Sequence, residues 1–275
     1  MTDNTQPEAQ WGGGRIVCQF SCGAASAVAT KLALVQYGDR CTVINAYLEN
    51  EHPDNRRFLA DCERWFGQKV IVLRDEKYGA DVIEVFRRTR YIKGRQGAAC
   101  TLRLKRGLLR TFEQPGDVLV LGYTADEQWR LDDFQEAYPG RPVVAPLIER
   151  GLTKTDCKTM VERAGITLPF MYLQGYQNAN CIGCVKGGAG YFRAIREDYP
   201  AEFRRLADIE SEIGPGAYIL RHRSGPLKGK RFPLHELPAG KADRKEWLPA
   251  CGVTCEIAEQ EYSTCPQMGP LPTTP

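Results

Sequence analysis

The chain has 275 residues, of which 43% are hydrophobic and 26% are charged, and its formal net charge is +3. This composition is typical of a globular protein with one large domain, or with one domain and a small appendage. No apolar run approaches the roughly 20 residues that a membrane-spanning helix needs, and the polar segment 1–10 lacks the pattern of a signal peptide. We therefore expect a cytoplasmic protein that does not enter a membrane.

Short apolar segments alternate with helical patterns through the first 150 residues. Each apolar segment is nearly continuous, which is typical of strands in a parallel sheet that helices cover on both faces. The pattern predicts a Rossmann-like α/β fold with about five strands. Ligands of such sheets bind beyond the carboxyl ends of the strands, near the switch in strand order, so the loops after the first, second and fourth strands are candidate binding loops. The predicted strands are residues 15–20, 42–48, 69–73, 117–121 and 142–146.

The texture of the sequence changes after about residue 151. Thr153 and Asp156 favour the start of a helix that continues through Ala164. The tail from Leu237 is rich in Pro, Gly and Cys, which indicates a Cys-rich α+β appendage. The other predicted elements are helices over 79–90, 101–113 and 191–213 and a hairpin formed by 218–223 and 230–234.

A glycine-bearing turn joins the first strand to the first helix. Small residues there let the backbone approach phosphates closely, and the first N–H groups of a helix lack internal partners and point toward a ligand. The chain contains no G-x-x-x-x-G-K-[ST] sequence, so this turn is not a Walker A loop. The pattern predicts a phosphate-binding loop, and a serine-capped helix packed tightly on the sheet is the alternative. The loop residues are Ser21, Cys22, Gly23, Ala24, Ala25 and Ser26.

Nine basic residues occur between Arg87 and Arg110, and no acid interrupts them. Such a block suits a polyanion such as nucleic acid, or a multiply charged small ligand. A solvated helix face is the alternative. The nine are Arg87, Arg88, Arg90, Lys93, Arg95, Arg103, Lys105, Arg106 and Arg110.

The chain has eleven cysteines, and in a reducing compartment clustered cysteines indicate metal or redox chemistry more often than disulfides. Cys181 and Cys184 form a C-x-x-C sequence, and Cys251 and Cys255 form a C-x-x-x-C sequence about 70 residues further on. Two such pairs have the spacing of a closed tetrathiolate site. Spacing alone does not choose between zinc and a [4Fe–4S] cluster, and free thiols or a labile disulfide are the alternative.

Four segments, in this order, resemble the PP-loop family, which includes ATP pyrophosphatases, phosphoadenylyl-sulfate (PAPS) reductases and the phosphorothioation protein DndC. The family loop is often S-G-G-K-D-S, and Ala24 and Ala25 stand at the positions of its Lys and Asp. That departure counts against straightforward ATP hydrolysis and less against a reductase-like member. The segments are the loop Ser21–Ser26, 49–53 (ENEHP), 100–105 (CTLRLK) and 122–130 (GYTADEQWR), and the resemblance covers about residues 15–190.

The segment 1–14, which ends in three glycines, is expected to be disordered. The resemblance implies a HUP-type PP-loop domain over 15–165, followed by a Cys-rich metal or cluster subdomain over 166–275. It also implies that ATP or PAPS binds on the loop, with Glu49 and Gly122 nearby. Basic side chains would supply cations to the phosphate or sulfate. These are Arg103, Lys105 and Arg130.

Asp126 and Glu127 would bind a ribose hydroxyl or hold a metal ion such as Mg²⁺. Several members of the family carry a [4Fe–4S] cluster beside the nucleotide, and Cys100 matches one of their ligands, which favours iron–sulfur over zinc. The cluster ligands would be Cys100, Cys181 and Cys184, with Cys251 or Cys255 as the fourth.

Three functions are open at this point. The first is a PAPS-reductase-family enzyme that reduces a sulfonucleotide with a thioredoxin-like reductant, or acts in sulfur transfer. The reductase motif E-C-G-[IL]-H is absent, and Cys265 is the candidate nucleophile, which would need a lowered pKa. The second is sulfur insertion of the DndC type into a base or nucleic acid held on the basic face. The third is a non-catalytic, zinc-stabilised module that binds nucleotides or nucleic acid, which the missing Lys and Asp favour.

Overall fold

The computed structural model describes residues 14–94 and 97–246, and the chain divides into two compact units. Unit 1 contains the described residues up to Ala46, Pro53–Leu73 and Leu109–Pro169. Unit 2 contains Tyr47–His52, Arg74–Leu108 and the described residues from Phe170 onward. The units interleave along the chain. Outside the described residues lie 1–13 of the predicted disordered segment and Arg95, Cys251, Cys255 and Cys265.

The elements follow the predicted alternation of strands and helices. The strands are β1 (Ile16–Gln19), β2 (Cys41–Ala46), β3 (Ile71–Leu73), β4 (Lys93–Gly94), β5 (Gly97–Ala98), β6 (Val118–Val120), β7 (Val143–Val144), β8 (Leu220–Arg221) and β9 (Arg231–Phe232). The helices are α1 (Ala24–Tyr37), α2 (Asp54–Phe66), α3 (Val82–Thr89), a π-helix (Thr101–Gly107), α4 (Leu108–Phe112), α5 (Gln128–Ala137), α6 (Pro146–Glu149), α7 (Lys154–Arg163), α8 (Phe170–Leu173), α9 (Ala189–Asp198) and α10 (Pro200–Ile213). None of the described helices is both long and apolar enough to cross a membrane.

Unit 1 is built on a five-stranded, all-parallel sheet in the order β3-β2-β1-β6-β7. Each of the five predicted strands overlaps one of these, so the prediction of an α/β fold with helices flanking a parallel sheet is confirmed. The chain moves outward in one direction from β1 to β3 and then returns to the other side of β1 with β6. The carboxyl ends of β1 and β6 therefore lie side by side at the switch in strand order, where open α/β sheets bind ligands.

The edge strand β3 departs from the expectation that helices cover every strand on both faces. Ile71 and Val72 are 44% and 46% exposed, whereas Ile16, Val17 and Cys18 in the central strand β1 are fully buried. The cause is position, because β3 has a partner on one side only. An apolar run in the sequence cannot distinguish an edge strand from a central one.

Two predicted helices differ in the structure. The single helix predicted over 191–213 is wrong: α9 ends at Asp198 and α10 begins at Pro200. Proline has no N–H to donate and its ring clashes with the preceding turn, so it is tolerated at the first position of a new helix and not in the middle of one. The segment 101–113 begins as the π-helix and becomes α-helical only at Leu108.

Unit 2 is held together by a large apolar cluster that includes α3, α9 and α10 residues such as Phe86, Phe192 and Leu206. The predicted hairpin is confirmed, with β8 antiparallel to β9. The carboxylate of Glu210 on α10 is fully buried and accepts hydrogen bonds from the backbone N–H groups of Ile219 and Leu234, which flank the hairpin. Burial raises the pKa of Glu210 to about 7, against the effect of these two donors.

Candidate functional site

The hydroxyl of Ser26 closes the predicted phosphate loop. The backbone N–H of Ser21 and the hydroxyl of Ser21 both donate to Ser26 Oγ, each at 3.1 Å. Ser26 Oγ in turn donates to the carbonyl of Gly23 at 2.9 Å. The two serines that were predicted to donate hydrogen bonds thus contact each other, with Ser21 exposed and Ser26 half-buried.

Cys22 gives the loop its sharp turn. Its φ of +56° lies in the left-handed region, which is uncommon for a residue other than glycine. Its side chain is fully buried, with the sulfur 3.6 Å from Asn45 Nδ2 and 3.7 Å from Arg56 Nη2. The side chain of Cys22 therefore points into unit 1, and the backbone of the loop forms the surface of the turn.

Helix α1 begins immediately after this turn. Its N-cap is Gly23, which has no side chain to cap the first amides, and no acid occupies the first turn. The next two residues, Ala24 and Ala25, carry only methyl groups. The N-terminus of a helix attracts anions through its N–H groups and its dipole, so this turn has the chemistry of an anion-binding loop.

Gly122, which follows β6, lies directly against the loop. A Cβ atom at this position would be 3.1 Å from Ser26 Cα and 3.3 Å from Ser26 N. Both contacts are to backbone, so the close approach depends on the absence of a side chain. Two separately predicted binding segments, the loop Ser21–Ser26 and the segment that begins at Gly122, are thus in contact at the switch point of the sheet.

The three charged residues predicted after β6 have different environments. Glu127 accepts a hydrogen bond from the backbone N–H of Thr124 at 3.2 Å and pairs with Arg130. The hydroxyl of Thr124 lies 2.8 Å from the carboxylate of Asp126 and 3.2 Å from that of Glu127. Arg130 is 4% exposed and its guanidinium lies 4.1 Å from the centre of the Tyr123 ring. All three residues thus contact the loop itself, and Asp126 is the exposed one of the three.

Two basic residues near this site were missed in the sequence. Lys154, at the start of α7, lies within electrostatic reach of Glu127 and Asp126, and burial lowers the pKa of its amine. Its segment is fixed by the N–H of Ala125, which donates to Leu152 O at 2.9 Å. Arg56 on α2 donates to Asn45 Oδ1 at 3.3 Å beside Cys22. Neither belongs to a recognisable motif, and the position of Arg56 three residues after Pro53 is the only signal for it.

The remaining predicted binding residues belong to unit 2. Glu49 pairs with Arg74 and accepts a hydrogen bond from the hydroxyl of Tyr47 at 3.0 Å, and these two partners lower its pKa. Lys105 lies on the π-helix with its amine 3.4 Å from the carboxylate of Glu51, and both side chains are largely buried. Arg103 is partly buried on the same helix.

The predicted metal ligands of unit 2 lie in its apolar cluster or against it. Cys184 is part of the cluster, and Cys100 and Cys181 pack against it. Cys181 also forms a β-bridge with Glu51. Within residues 14–94 and 97–246, no group of three or more His, Cys, Asp or Glu side chains could hold a metal ion. The described cysteines do not by themselves fit zinc or an iron–sulfur cluster, and the other two predicted ligands lie outside the described residues.

The basic block does not form one continuous charged face. Arg87 and Arg88 pair with Glu84, and Arg87 and Arg90 reach Glu212. Lys93 is partly buried, and desolvation lowers its pKa to about 8. Much of the charge that the sequence pattern assigned to a polyanion is therefore balanced by acids within unit 2 or buried.

The fold and the loop define an α/β protein with a candidate anion-binding site at the switch point of a parallel sheet. No protein-family model matches the chain, and no curated protein matches it either.

Proposed function

We propose that this chain is an enzyme of the PAPS-reductase-like PP-loop family that binds an adenine nucleotide, PAPS or ATP, on the loop Ser21–Ser26. Its chemistry would be sulfonucleotide reduction or sulfur transfer. The observation that supports this proposal is the position of the loop between β1 and α1, with Gly122 of the adjacent strand end against it. A HUP-type assignment of the sheet and a Cys-rich C-terminal subdomain belong to the same proposal.

The residues of unit 1 would have separate tasks in holding a nucleotide. The first backbone N–H groups of α1 would bind the phosphate or sulfate group, because the N–H groups at the start of a helix have no partners within the helix. Asp126 would accept a hydrogen bond from a ribose hydroxyl or hold Mg²⁺. Glu127 and Arg130 would stabilise the loop that follows β6. Electrons for a reduction would come from an external dithiol of the thioredoxin type.

A small nucleotide fits the charge distribution better than a nucleic-acid acceptor. Binding of a polyanion depends on many cations that are free to meet phosphates. In the described part of the basic block, Arg87, Arg88 and Arg90 are engaged with acids. This favours the reductase form of the proposal over insertion of sulfur into a nucleic acid.

Calorimetric titration with ATP and with PAPS tests the proposal. The double variant Ser21→Ala/Ser26→Ala removes both hydroxyls of the loop and should weaken binding by about tenfold or more, since each lost hydrogen bond costs on the order of 1 kcal/mol and tenfold corresponds to about 1.4 kcal/mol. Ser224→Ala, in an exposed turn of unit 2, is the matched control and should bind as wild type does. Unchanged affinity in the double variant, or no binding by wild type, would contradict the proposal.

Activity assays on the same protein separate its two chemistries. Release of sulfite from PAPS that depends on an added dithiol would identify a reductase. Formation of AMP and pyrophosphate from ATP would identify an adenylyl-activating sulfurtransferase. Tight nucleotide binding with neither product would leave a binding module, and would contradict the enzymatic part of the proposal.

A further inference from the structure

The phosphate loop has no positive charge of its own. From Ile16 to Thr30 the sequence contains neither Lys nor Arg. The next cation along α1, Lys31, donates to the carbonyl of Trp65 at 2.6 Å. Backbone amides and hydroxyls can bind one anionic group, but a chain of phosphates carries several charges that strongly favour a full cation nearby.

Arg56 brings a guanidinium to this loop from α2. Its Nη2 is 3.7 Å from the sulfur of Cys22, and its Nη1 donates to Asn45 Oδ1 at 3.3 Å. Asn45 is buried, and its Nδ2 donates to the carbonyl of Phe20 at 2.7 Å. The two residues therefore hold both sides of the turn, at Phe20 and at Cys22.

The same contacts explain how a cysteine is kept in a left-handed conformation. A residue with a Cβ atom at φ +56° costs on the order of 1 kcal/mol and needs compensation from its surroundings. The N–H groups of Asn45 and Arg56 that face the sulfur provide it. The position of the guanidinium and the shape of the loop are thus coupled through one side chain.

We infer that Arg56 is the cation of the phosphate loop, and that it makes the site select ligands with a chain of phosphates, or a phosphate joined to a sulfate, over a nucleoside. The inference deepens the proposed function and rests on its assignment of the loop as the anion site. A planar guanidinium meets two oxygens of such a group at once. Asn45 acts on the ligand only through Arg56 and the turn, so it is a positioning residue.

Titration with sodium tripolyphosphate, ATP and adenosine, followed by calorimetry, tests this inference. Arg56→Gln should weaken tripolyphosphate and ATP binding by about tenfold or more, since a hydrogen bond to a charged group is worth roughly 1.5–3 kcal/mol. Any binding of adenosine should stay unchanged. The loss should shrink as salt is raised, because screening weakens the charge that was removed.

Two further variants separate charge from folding. Arg64→Gln is on the same helix, with a side chain 74% exposed and paired with Asp61, and it should bind all three probes as wild type does. Arg56→Lys keeps the charge and should hold tripolyphosphate within about tenfold of wild type. Thermal unfolding of each variant is the check that it is folded.

The outcomes distinguish the inference from the proposed function. Wild-type affinity for tripolyphosphate in Arg56→Gln would overturn the role of Arg56, and an equal loss in Arg56→Lys and Arg56→Gln would overturn its charge as the cause. If wild type binds tripolyphosphate and no adenine nucleotide, the proposed function fails while the result for Arg56 stands. If wild type binds neither, both are wrong.

Discussion

At the level of single residues, small side chains leave the backbone of the candidate site accessible. Gly23, Ala24 and Ala25 leave the first turn of α1 without bulk, and Gly122 permits contact from the neighbouring strand end. Cys22 is the exception, since it has a full side chain in a conformation that favours glycine. The buried side chain of Cys22 contacts Asn45 and Arg56, and through Arg56 it connects the loop to α2.

Gly122→Ala should disturb the loop. The new methyl group would lie 3.1 Å from Ser26 Cα, so the backbone of α1 must shift by a few tenths of an ångström. We expect a loss of about 1–2 kcal/mol in the free energy of unfolding, as for other overpacked sites, and several-fold weaker binding of ATP. Urea unfolding and calorimetry measure the two effects.

Gly216→Ala is the control for this substitution. Gly216 has nothing within 4 Å of the added Cβ atom and no positive φ, so its effect on stability should stay within about 0.5 kcal/mol. Stability and ATP affinity of wild-type size in Gly122→Ala would show that the two loops do not depend on their close contact.

The two strands that end at the candidate site are also tied together where they begin. The N–H of Val118 donates to Arg15 O at 2.9 Å, and Arg15 holds Asp117 with two hydrogen bonds, of 3.1 Å and 2.7 Å. Burial alone would raise the pKa of Asp117, but the bonds from Arg15 and from the N–H of Gln114 outweigh it and hold the pKa below its ordinary value. This clamp fixes β6 beside β1 at the element level.

Asp117→Asn should lower stability in a pH-dependent way. A carboxylate whose pKa is depressed in the folded state adds stability that is present above its unfolded pKa, about 3.8, and is lost as the pH falls through the folded value. We expect a deficit of about 1–3 kcal/mol at pH 7 that shrinks at pH 3, measured by urea unfolding at both pH values.

The exposed Asp132, which accepts a hydrogen bond from Gln128 within α5, supplies the control. Asp132→Asn should change stability by less than about 0.5 kcal/mol at either pH. A deficit in Asp117→Asn that keeps its full size at pH 3 would show that the charge of Asp117 does not stabilise the fold.

The elements show what the sequence could and could not predict. Apolar runs identified all five strands of the sheet, because a buried parallel strand leaves a direct pattern, and the Thr153–Asp156 capping box was recognisable for the same local reason. The helical pattern of 191–213 continues on both sides of Pro200, yet proline is tolerated only at the start of a helix, and α10 begins there. The approach of Gly122 to Ser26 and the position of Arg56 depend on contacts between distant segments, which no local pattern encodes.

At the scale of the whole molecule, the chain crosses between its two units several times. Tyr47–His52 and Arg74–Leu108 leave the sheet-containing unit and pack in unit 2, so segments that are neighbours in sequence serve different cores. The segments that resemble the PP-loop family are divided between the units, with the loop Ser21–Ser26 and Gly122 in unit 1. Glu49, Lys105 and the predicted ligands Cys100, Cys181 and Cys184 are in unit 2.

The metal content of the full chain is the remaining prediction at this scale. Cys181 and Cys184 are joined by one tight turn, in which the N–H of Cys184 donates to Cys181 O at 3.1 Å, and they would form half of the predicted four-thiolate set. Because the described residues contain no group of three ligands, a bound metal needs at least one ligand from outside them, for which Cys251 and Cys255 are the candidates, so we expect both cysteine pairs to contribute. Full-length protein purified without oxygen should contain zinc, or iron with acid-labile sulfide, and either Cys181→Ser/Cys184→Ser or Cys251→Ser/Cys255→Ser should lose it. Cys157→Ser, at a fully buried site where burial raises the thiol pKa to about 12, should keep the metal of wild type. A metal-free wild-type chain, or a metal that survives the loss of Cys251 and Cys255, would show that the cysteine spacing has no role in metal binding.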